Sequence, residues 1–526
     1  MPKPDTVPSR ETVPSRETVA PREPAPPRET VPREVAPPDA VTRRAAVCAT
    51  LTTDAAPGAL PAGVSDLEVR ADLAGDIDPG PWRHLVRTVT YSLRSGSRGG
   101  HGPEPGPDRW QRLLAAARRY DVVDLEADHD LVPEVLAGIP PQQRRISWHG
   151  EALGLPALRR RFERLAGTPA RLYLLAPAAG TCVQALVPVQ LLAQLDRRDV
   201  TAFGTGGAGV WSRLLAPWLG APVVFGRLSP ADGARVPTVA QLLTDYPFPA
   251  LPPLTTLYGI VGQTANGSLS PRLHNAGYRA LGLPHLFLPF QSDDFAGFWG
   301  NLVGAGLAPL RLPLCGLTVT APFKEVALAL ASRTSARARG ARSANLMVPA
   351  GGGWYADTTD SSAAVTALRD RDIALRGTSV AVVGCGGAGR AVAAELVAAG
   401  ARVTLVNRGQ QRGRRAAKLL RVPFTSLAGF DPTGYQVVVN ATPLRDAVPF
   451  ARGGLTGAAT VLDLVYADHE TALVRTAREH GLAVVDGWEI LHREVRSQFR
   501  MMTGQRMPRW ITARPVPPPP APEDRA

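Results

Sequence analysis

The chain has 526 residues, of which 44% are hydrophobic and 20% are charged, so two or three domains with sizeable cores are expected. Its formal net charge of +13 comes almost entirely from arginines spread along the chain, which is typical of a solvated surface and argues against a nucleic-acid partner. The four cysteines are scattered, form no C-x-x-C pair and lie near no histidine cluster, so we expect neither a disulfide framework nor a metal site.

The beginning of the chain does not predict export or membrane insertion. Its first residues, MPKPDTVPSR, lack the apolar core of a signal peptide. No segment approaches the roughly 18 uninterrupted apolar residues of a membrane helix. We therefore expect a soluble, cytoplasmic protein without a membrane partner.

Both ends of the chain are rich in proline. Residues 1–41 repeat the short unit TVPSRE, and residues 508–526 include RPVPPPPAPEDRA. Such segments have few large apolar groups to offset the entropy of ordering, and proline lacks the backbone donor that regular structure needs. We predict that both segments are disordered tails.

Residues 42–250 alternate short apolar runs with helical stretches about eight times. This alternation is typical of an α/β fold with a closed parallel (β/α)8 TIM barrel, in which polar residues at the carboxyl ends of strands face the active-site mouth. The residues predicted at or just beyond such ends form a candidate site and are Glu68, Arg70, Arg94, Glu126, His149 and Arg213.

A glycine-rich turn in residues 363–507 predicts a dinucleotide-binding Rossmann domain. The strand SVAVV is followed by Gly384, Gly386 and Gly389, with Gly387 between them, and then by the helical stretch RAVAAELVAAG. In this context the glycines permit a tight turn and let backbone N–H groups approach a pyrophosphate at the helix N-terminus. A purely structural turn is the alternative.

The strand after this turn indicates which dinucleotide is bound. It ends in Asn407 and Arg408, where an NAD-binding domain has an acidic residue for the ribose hydroxyl. An arginine suits a 2′-phosphate, so the sequence favours NADP over NAD. FAD and S-adenosylmethionine use similar turns, but Arg408 fits them poorly.

Residues 254–362 carry the candidate substrate and catalytic side chains. Ser268 and Ser270 lie two apart in a polar turn and offer two hydroxyls to a small anion such as a carboxylate. Lys324 is the only lysine between residues 4 and 417, which suggests a position that needs an amine able to transfer a proton. Asp360 precedes a helix, where it is either an N-cap or a catalytic residue.

From Tyr258 to about Gly504, the chain resembles the shikimate dehydrogenase family. The resemblance is carried by YGIVG, SLSPRLHNAGY, TVTAPFK, VVGCGGAGRA, VVNATP, DLVY and LHREVRSQF, which occur in the family's order. It implies a substrate-binding domain, a Rossmann domain for NADP, and a C-terminal helix that returns to the substrate domain. By this resemblance, Ser268 and Ser270 bind the substrate carboxylate, and Lys324 and Asp360 form the catalytic pair. The other residues it implies are Thr320, Asn345, Tyr466 and Glu494 in the substrate pocket, and Asn407, Arg408 and Thr442 beside NADP.

Several departures from the family's pattern concern the substrate. The chain has Thr318 and Thr358 where the family has asparagines, and Glu494 where it has a glutamine. A site that lacks the partners of a substrate's hydroxyls binds that substrate less well. A carboxylate at Glu494 favours a hydroxyl donor or an ammonium, so an aminated analogue of shikimate is one hypothesis for the substrate.

The first half of the chain resembles type I 3-dehydroquinate dehydratase, through EVRAD, SLRSGSRGG, VDLEAD, SWHG and SPADGARV. The resemblance implies that Glu126 and His149 are the acid–base residues.

The family's reaction needs a lysine that forms an imine, but Leu174 stands at that position and residues 42–250 contain no lysine. Ala234 stands near the family's lid glutamine, and Arg98 replaces a glutamate. We therefore predict a barrel without imine-based dehydratase activity, which is a degenerate scaffold, a metabolite-binding domain or a site of different chemistry.

The sequence alone leaves two possible functions open. The first is an NADP-dependent oxidoreductase that interconverts 3-dehydroshikimate and shikimate, or a close analogue such as quinate or aminoshikimate. The second is a metabolite-sensing or regulatory pseudoenzyme of the same pathway. Lys324, Asp360 and the glycine turn favour the enzyme, whereas the missing barrel lysine and the altered pocket amides favour the sensor.

Overall fold

The computed structural model describes residues 43–229, 236–450, 455, 460–467 and 469–512. The predicted N-terminal tail and Ala234 lie outside these residues, as does the predicted C-terminal tail beyond residue 512. Within the described part of the predicted C-terminal tail, Ile511 is buried and Trp510 is exposed. Within the described ranges, we find no helix with the length and apolar character needed to cross a membrane.

The first half of the chain forms a nearly closed barrel of eight parallel strands. The strands follow chain order around the barrel, and the last lies beside the first. No strand ladder joins Val200–Ala202 to Val223–Arg227 among the described residues. The strands are Ala46–Leu51, Asp66–Arg70, Thr88–Ser92, Val122–Glu126, Arg144–Trp148, Leu172–Leu175, Val200–Ala202 and Val223–Arg227.

Helices cover the outside of the barrel, as the alternating pattern predicts. The α-helices are Ala71–Ala74, Pro107–Ala117, Pro133–Gly138, Leu155–Ala166, Leu186–Leu195, Val210–Leu215 and Val239–Asp245. Leu155–Ala166 buries Leu158, Phe162 and Leu165, whose spacing places them on one face of the helix. A short antiparallel ribbon of Arg43–Arg44 and Ala250–Leu251 joins the two ends of this region.

The second sheet is mixed and has six strands. In spatial order they are His285–Gln291, Thr256–Gly262, Leu314–Val319, Leu346–Ala350, Gly353–Asp357 and Arg333–Thr334. Its α-helices are Ser270–Ala280, Phe295–Phe298, Lys324–Leu330 and Ala336–Ala341, and a π-helix spans Trp299–Gly306.

The third sheet has six parallel strands in the order of a doubly wound nucleotide-binding fold. In spatial order they are Phe424–Ser426, Arg402–Asn407, Ser379–Val383, Val437–Asn440, Thr460–Asp463 and Ala483–Val485. The α-helices around it are Asp360–Arg369, Gly387–Ala398, Gln410–Leu420 and Ala472–Glu479. With the barrel and the mixed sheet, this order confirms the predicted α/β fold class.

The last helix, Gly487–Thr503, runs from the third sheet back to the second. Asp486 caps it by accepting a hydrogen bond from the N–H of Glu489 at 3.0 Å, and the helix ends before Gly504 at φ +71°. Near its end, the Tyr258 hydroxyl donates to the carbonyl of Met502 at 3.1 Å. This helix therefore places its own side chains beside the edge where the second and third sheets meet.

The barrel packs directly on the second sheet. Asp245 accepts a 2.6 Å ion-paired hydrogen bond from Arg272, and the Trp211 and Phe290 rings lie 5.4 Å apart. The Asn266 amide donates to the carbonyl of Gly207 at 2.9 Å. Asn266 belongs to the turn that precedes Ser268, so a barrel loop supports the predicted carboxylate-binding turn.

Candidate active site and barrel mouth

Lys324 and Asp360 form an ion pair at one edge of the mixed sheet. Each begins a helix just after a strand, and the Lys324 Nζ lies 2.6 Å from the Asp360 Oδ2. The two preceding strands, Leu314–Val319 and Gly353–Asp357, both run antiparallel to the strand between them, so their carboxyl ends share one edge. The sheet thus brings together two residues that are 36 positions apart.

The environment of Lys324 keeps its amine charged. Burial alone would lower the pKa of Lys324, but the carboxylates of Asp360 and Glu494 outweigh burial and raise that pKa above its usual value. The Lys324 side chain is 15% exposed, so it is not fully sealed from solvent. Lys324 therefore carries a proton at neutral pH.

Asn345 links the Lys324–Asp360 pair to the C-terminal helix. Its side-chain amide donates to Asp360 Oδ1 at 2.8 Å and to Glu494 Oε1 at 2.9 Å. Its carbonyl oxygen accepts from the backbone N–H of Thr359 at 2.7 Å, which fixes the orientation of the amide. Asn345 is 2% exposed, so it orders the carboxylates from within the protein.

Glu494 is a third ionisable side chain in the same site. Burial raises the pKa of Glu494 to about 8, and the nearby Asp360 carboxylate acts in the same direction. Gln498, one helical turn later, donates to Glu494 Oε1 at 2.7 Å. Glu494 therefore carries a proton at neutral pH and loses it in mildly alkaline solution.

The serine turn and Tyr466 lie on another side of this cluster. Ser268 donates to the Ser270 hydroxyl at 3.2 Å and accepts from the Ser270 backbone N–H at 3.1 Å. Tyr466 also hydrogen-bonds Ser268, and burial followed by the Glu494 charge raises the Tyr466 pKa. Thr320 follows the strand Leu314–Val319, and its methyl group packs on Gly262.

The glycine turn of the predicted cofactor site lies beside the Lys324–Asp360 pair. Gly384 has φ +106°, a conformation that favours glycine, and a Cβ at this position would lie 2.8 Å from the Ala441 carbonyl oxygen. A Cβ at Gly387 would lie 3.1 Å from Lys324 Cδ. Gly386 faces open space, because its nearest neighbour is an Arg412 nitrogen at 3.9 Å. The turn therefore has room for a pyrophosphate, and the start of its helix touches Lys324.

The other predicted cofactor residues border the same turn. Asn407 accepts from the Cys385 backbone N–H at 3.1 Å and donates to the Gly409 carbonyl at 2.9 Å, so its side chain holds the turn in place. Arg408 is exposed beside it. Thr442 donates to Asn440 at 2.7 Å, and its methyl group lies against Gly384. These positions suit a dinucleotide that carries a 2′-phosphate.

In the barrel mouth, His149 is surrounded by arginines. Burial and the charges of Arg94, Arg145, Arg70 and Arg213 lower the pKa of His149 far below its usual value, so the imidazole is neutral. Arg94 lies 3.1 Å from His149 Nε2, and because guanidinium only donates, Nε2 is the acceptor. Because Nε2 is engaged by Arg94 and positive charge surrounds the ring, the neutral imidazole is a poor base at neutral pH.

The other predicted mouth residues do not all meet His149. The Arg70 side chain makes a two-point contact with Asp72, at 2.7 and 2.8 Å. Glu126 accepts from Arg109 at 3.1 Å and from the Ser95 backbone N–H at 3.2 Å. The structure therefore pairs Glu126 with Arg109 and does not show it beside the histidine as an acid–base partner.

The barrel interior contains an ion cluster that the sequence analysis missed. Arg145 pairs with Asp124 at 2.6 Å and with Glu68. Burial alone would raise the pKa of Glu68, but Arg145 outweighs it and holds that pKa at about 2. Leu174, at the position of the family's lysine, is 3% exposed and packs among apolar side chains. Burial also lowers the pKa of Arg213 to about 10.

Comparisons with known proteins agree with this division of the chain. Residues 260–347 match the family model described as shikimate dehydrogenase substrate binding domain, and residues 53–248 match the one described as Type I 3-dehydroquinase. The shikimate dehydrogenase (NADP(+)) of Methanocella arvoryzae is 34% identical over 268 residues, which cover 48% of this chain and 96% of that protein. The chain belongs to the shikimate dehydrogenase family.

Other known proteins are similar to one half of this chain or to both halves. The shikimate dehydrogenase (NADP(+)) of Halorubrum lacusprofundi is 37% identical, with 48% of this chain and 94% of that protein covered. The chloroplastic bifunctional 3-dehydroquinate dehydratase/shikimate dehydrogenase of Arabidopsis thaliana is 28% identical, with 58% and 54% covered. A solved dehydroquinate dehydratase and shikimate dehydrogenase from S. pombe has 22% identity and a TM-score of 0.40, with 88% and 96% covered.

Three residues of the dehydrogenase site were missed by the sequence analysis. Thr359 and Gln498 complete the hydrogen bonds around Asn345 and Glu494, and Arg412 lies beside the glycine turn. Gln498 could have been found, because it lies four residues after Glu494 and therefore on the same helix face. Arg412 had a weaker signal, since the helix Gln410–Leu420 carries several arginines.

We predict that the double variant R408Q/R412Q weakens NADP binding while NAD binding changes little. A charge-assisted hydrogen bond contributes about 1.5–3 kcal/mol, so the loss of both arginines should raise the KM for NADP about ten-fold or more. Steady-state kinetics with both dinucleotides measures this. The matched control is R414Q, on the exposed face of the same helix. An unchanged KM for NADP would show that neither arginine contacts the 2′-phosphate.

Proposed function

We propose that this protein is an NADP-dependent oxidoreductase that interconverts 3-dehydroshikimate and shikimate, or a close analogue such as quinate or an aminated shikimate. The main support is the 2.6 Å contact between Lys324 and Asp360 directly beside the glycine turn. Two relatives that this chain matches over most of their own length are named shikimate dehydrogenase (NADP(+)), which supports the same reaction.

NADP, when bound, accepts or supplies the hydride at its nicotinamide ring. The protein binds its phosphates through the turn at Gly384 and Gly386, the N-terminus of the helix Gly387–Ala398, and the arginines Arg408 and Arg412. The contact of Gly387 with Lys324 then sets the amine next to the place where hydride transfer occurs. Proximity of this kind accounts for much of an enzyme's rate enhancement.

The proton moves through Lys324. As a ketone is reduced, negative charge develops on its oxygen, and the ammonium of Lys324 donates a proton to that oxygen. Asp360 holds the ammonium in place through Oδ2, while Asn345 holds Asp360 through Oδ1. In the oxidation direction, Lys324 first releases a proton to solvent, and its amine then takes the proton of the substrate hydroxyl.

The substrate's carboxylate is assigned to the serine turn. The hydroxyls of Ser268 and Ser270 face one polar turn, and Tyr466 closes it from the third sheet. Three hydroxyls suit a carboxylate that accepts several hydrogen bonds. Asn345 and Glu494 then contact the ring substituents, with Thr320 at the edge of the pocket.

The regulatory pseudoenzyme is the second function that the sequence left open. It is not favoured, because both members of the proton-transfer pair are present and in contact, and because the glycine turn beside them has room for the cofactor. Two features supported a sensor. The missing lysine concerns only the barrel, and the altered pocket amides concern which substrate the dehydrogenase half binds.

For the barrel we propose that imine-based dehydration does not occur. Leu174 is buried among Cys48, Ala176, Phe203 and Phe225, so the position offers no amine. Arg145 is the cation nearest the interior acids, and a guanidinium is a poor nucleophile because it stays protonated.

The variant K324M should lower kcat about 10²–10⁴-fold while the Kd for NADP stays within a few-fold, because it removes general acid–base catalysis and no phosphate contact. The measurement is steady-state turnover of shikimate, quinate and an aminated shikimate, together with fluorescence titration of NADPH. The control is K418M, since Lys418 is the chain's other described lysine and is exposed. Wild-type turnover by K324M would remove Lys324 from the mechanism, and no turnover of any of these substrates by the wild type would contradict the proposed function.

The variant E494Q should change both substrate preference and pH dependence. An amide carries no charge to offset an ammonium, so in alkaline solution, where the wild-type Glu494 is ionised, kcat/KM for shikimate relative to the aminated analogue should rise. The folded-state pKa of about 8 lies above the ordinary 4.5, so the folded wild type binds the extra proton between these values and loses stability as pH rises through this window. E494Q should lack this loss.

The measurements are kcat/KM for both substrates and Tm at pH 5, 6.5 and 8. E479Q is the control, because Glu479 is exposed at the end of another helix. If E494Q and wild type show parallel Tm curves, Glu494 does not hold a proton in the folded state.

Treatment with 3-dehydroquinate and borohydride should leave the mass of the barrel peptides unchanged, since no amine is available to form a reducible imine. A type I 3-dehydroquinase, treated identically, serves as the positive control. A borohydride-trapped adduct on any peptide within residues 43–229 would overturn the proposal that the barrel lacks imine chemistry.

A further inference from the structure

A second cavity lies at the other end of the barrel from its mouth. It has a volume of about 740 Å³ and is lined by residues that precede or begin the barrel strands. Ser65, Arg87, Arg171 and Pro222 each stand immediately before a strand. The cavity therefore opens at the amino-terminal ends of the strands, away from His149 and from the dehydrogenase site.

The cavity exists because the barrel interior is thinly filled at this end. Barrels of this type are usually packed by layers of bulky side chains. Here the inward positions near the strand starts hold the small side chains of Cys48, Thr88, Thr90 and Val122, all of which line the cavity. Arg145 stands at its inner limit, where its pairing with Asp124 and Glu68 separates the cavity from the mouth.

The charge around the cavity is unbalanced. Five arginines and a single acidic residue, Asp66, line it; the arginines are Arg44, Arg87, Arg145, Arg171 and Arg198. Arg145 has its own carboxylate partners deeper in the barrel. Arg87 approaches Asp66 only to 3.8 Å, and its side chain is 72% exposed. The other four arginines therefore outnumber the single carboxylate of the wall, and the wall carries a net positive charge.

Hydroxyl groups accompany these arginines among lining residues that are otherwise mostly apolar. Thr88 accepts a 3.4 Å hydrogen bond from Arg171, and Thr90 also lines the cavity. Arginine forks bind carboxylate and phosphate groups at two points, and hydroxyls complete such sites. Exposed arginines alone would be an ordinary solvated surface, but here four from separate segments surround one concave space.

We propose that this basal cavity binds a compact anion with more than one negative charge, a phosphorylated or polycarboxylate metabolite. Its volume lies within the range of about 300–1,000 Å³ typical of small-molecule sites. The ligand supplies the negative charge that the protein wall lacks, and the rim arginines contact its anionic groups. This site is separate from the dehydrogenase pocket and from the barrel mouth, and it does not depend on the proposed oxidoreductase function.

Isothermal titration calorimetry on the full chain tests the proposal, with inorganic pyrophosphate and citrate as separate probes. Saturating NADP is present throughout, to occupy the glycine turn, and about 0.15 M salt screens non-specific attraction. We expect one saturable site for at least one probe. The probe that binds more tightly distinguishes a phosphate-type ligand from a carboxylate-type ligand.

The variant R171Q/R198Q should weaken binding of that probe at least ten-fold. The control R118Q/R160Q removes the same charge from exposed positions outside the cavity and should bind like wild type. R94Q, which alters the opposite mouth, should also bind like wild type. Circular dichroism and the thermal unfolding of each variant verify that it is folded.

No saturable binding of either probe to the wild type would overturn the proposal. So would equal weakening in R118Q/R160Q, which would mean that overall charge governs binding. Loss of binding in R94Q with retention in R171Q/R198Q would place the anion in the mouth, and this also contradicts a basal site.

Discussion

The ion pair between Lys324 and Asp360 is the constraint on which the dehydrogenase half depends. Isolated charges are costly to bury, and a buried pair is tolerated only when hydrogen bonds satisfy its remaining atoms. Asn345 supplies that bond to Asp360, and Glu494 adds a second acid. The three sequence segments involved converge because parallel strand ends share an edge and because the last helix returns to it.

This convergence makes the site's net charge sensitive to one proton. With Glu494 protonated, Lys324 and Asp360 balance each other, and the pocket is as neutral as one with the family's glutamine. With Glu494 ionised, the pocket carries an additional negative charge in a buried place, which an ammonium on the substrate would offset. The charge of the substrate and the pH of the solution therefore act on the same side chain, Glu494.

The candidate residues of the dehydrogenase site can be proposed from the sequence because they lie in local motifs. The glycine turn, the two serines and the scarcity of lysine are visible without knowing which strands are neighbours. The hydrogen bond between Asn345 and Glu494 and the closeness of Gly387 to Lys324 cannot be read from the sequence. They join segments whose relative position depends on the order of the strands in the sheet. The ion cluster of the barrel was missed for the same reason, since Arg145 meets Glu68 only once the barrel closes.

The two halves of the chain use buried charge in opposite ways. In the dehydrogenase site, the pKa of Glu494 lies near neutrality, so protons can move. In the barrel, Arg145 keeps Glu68 ionised with a pKa of about 2, and no nearby amine can form a covalent intermediate. Fixed charges of this kind can bind and orient a ligand, but they give and take no protons at neutral pH. The barrel also has a structural part in the dehydrogenase half, because the loop before its helix Val210–Leu215 supports the serine turn through Asn266.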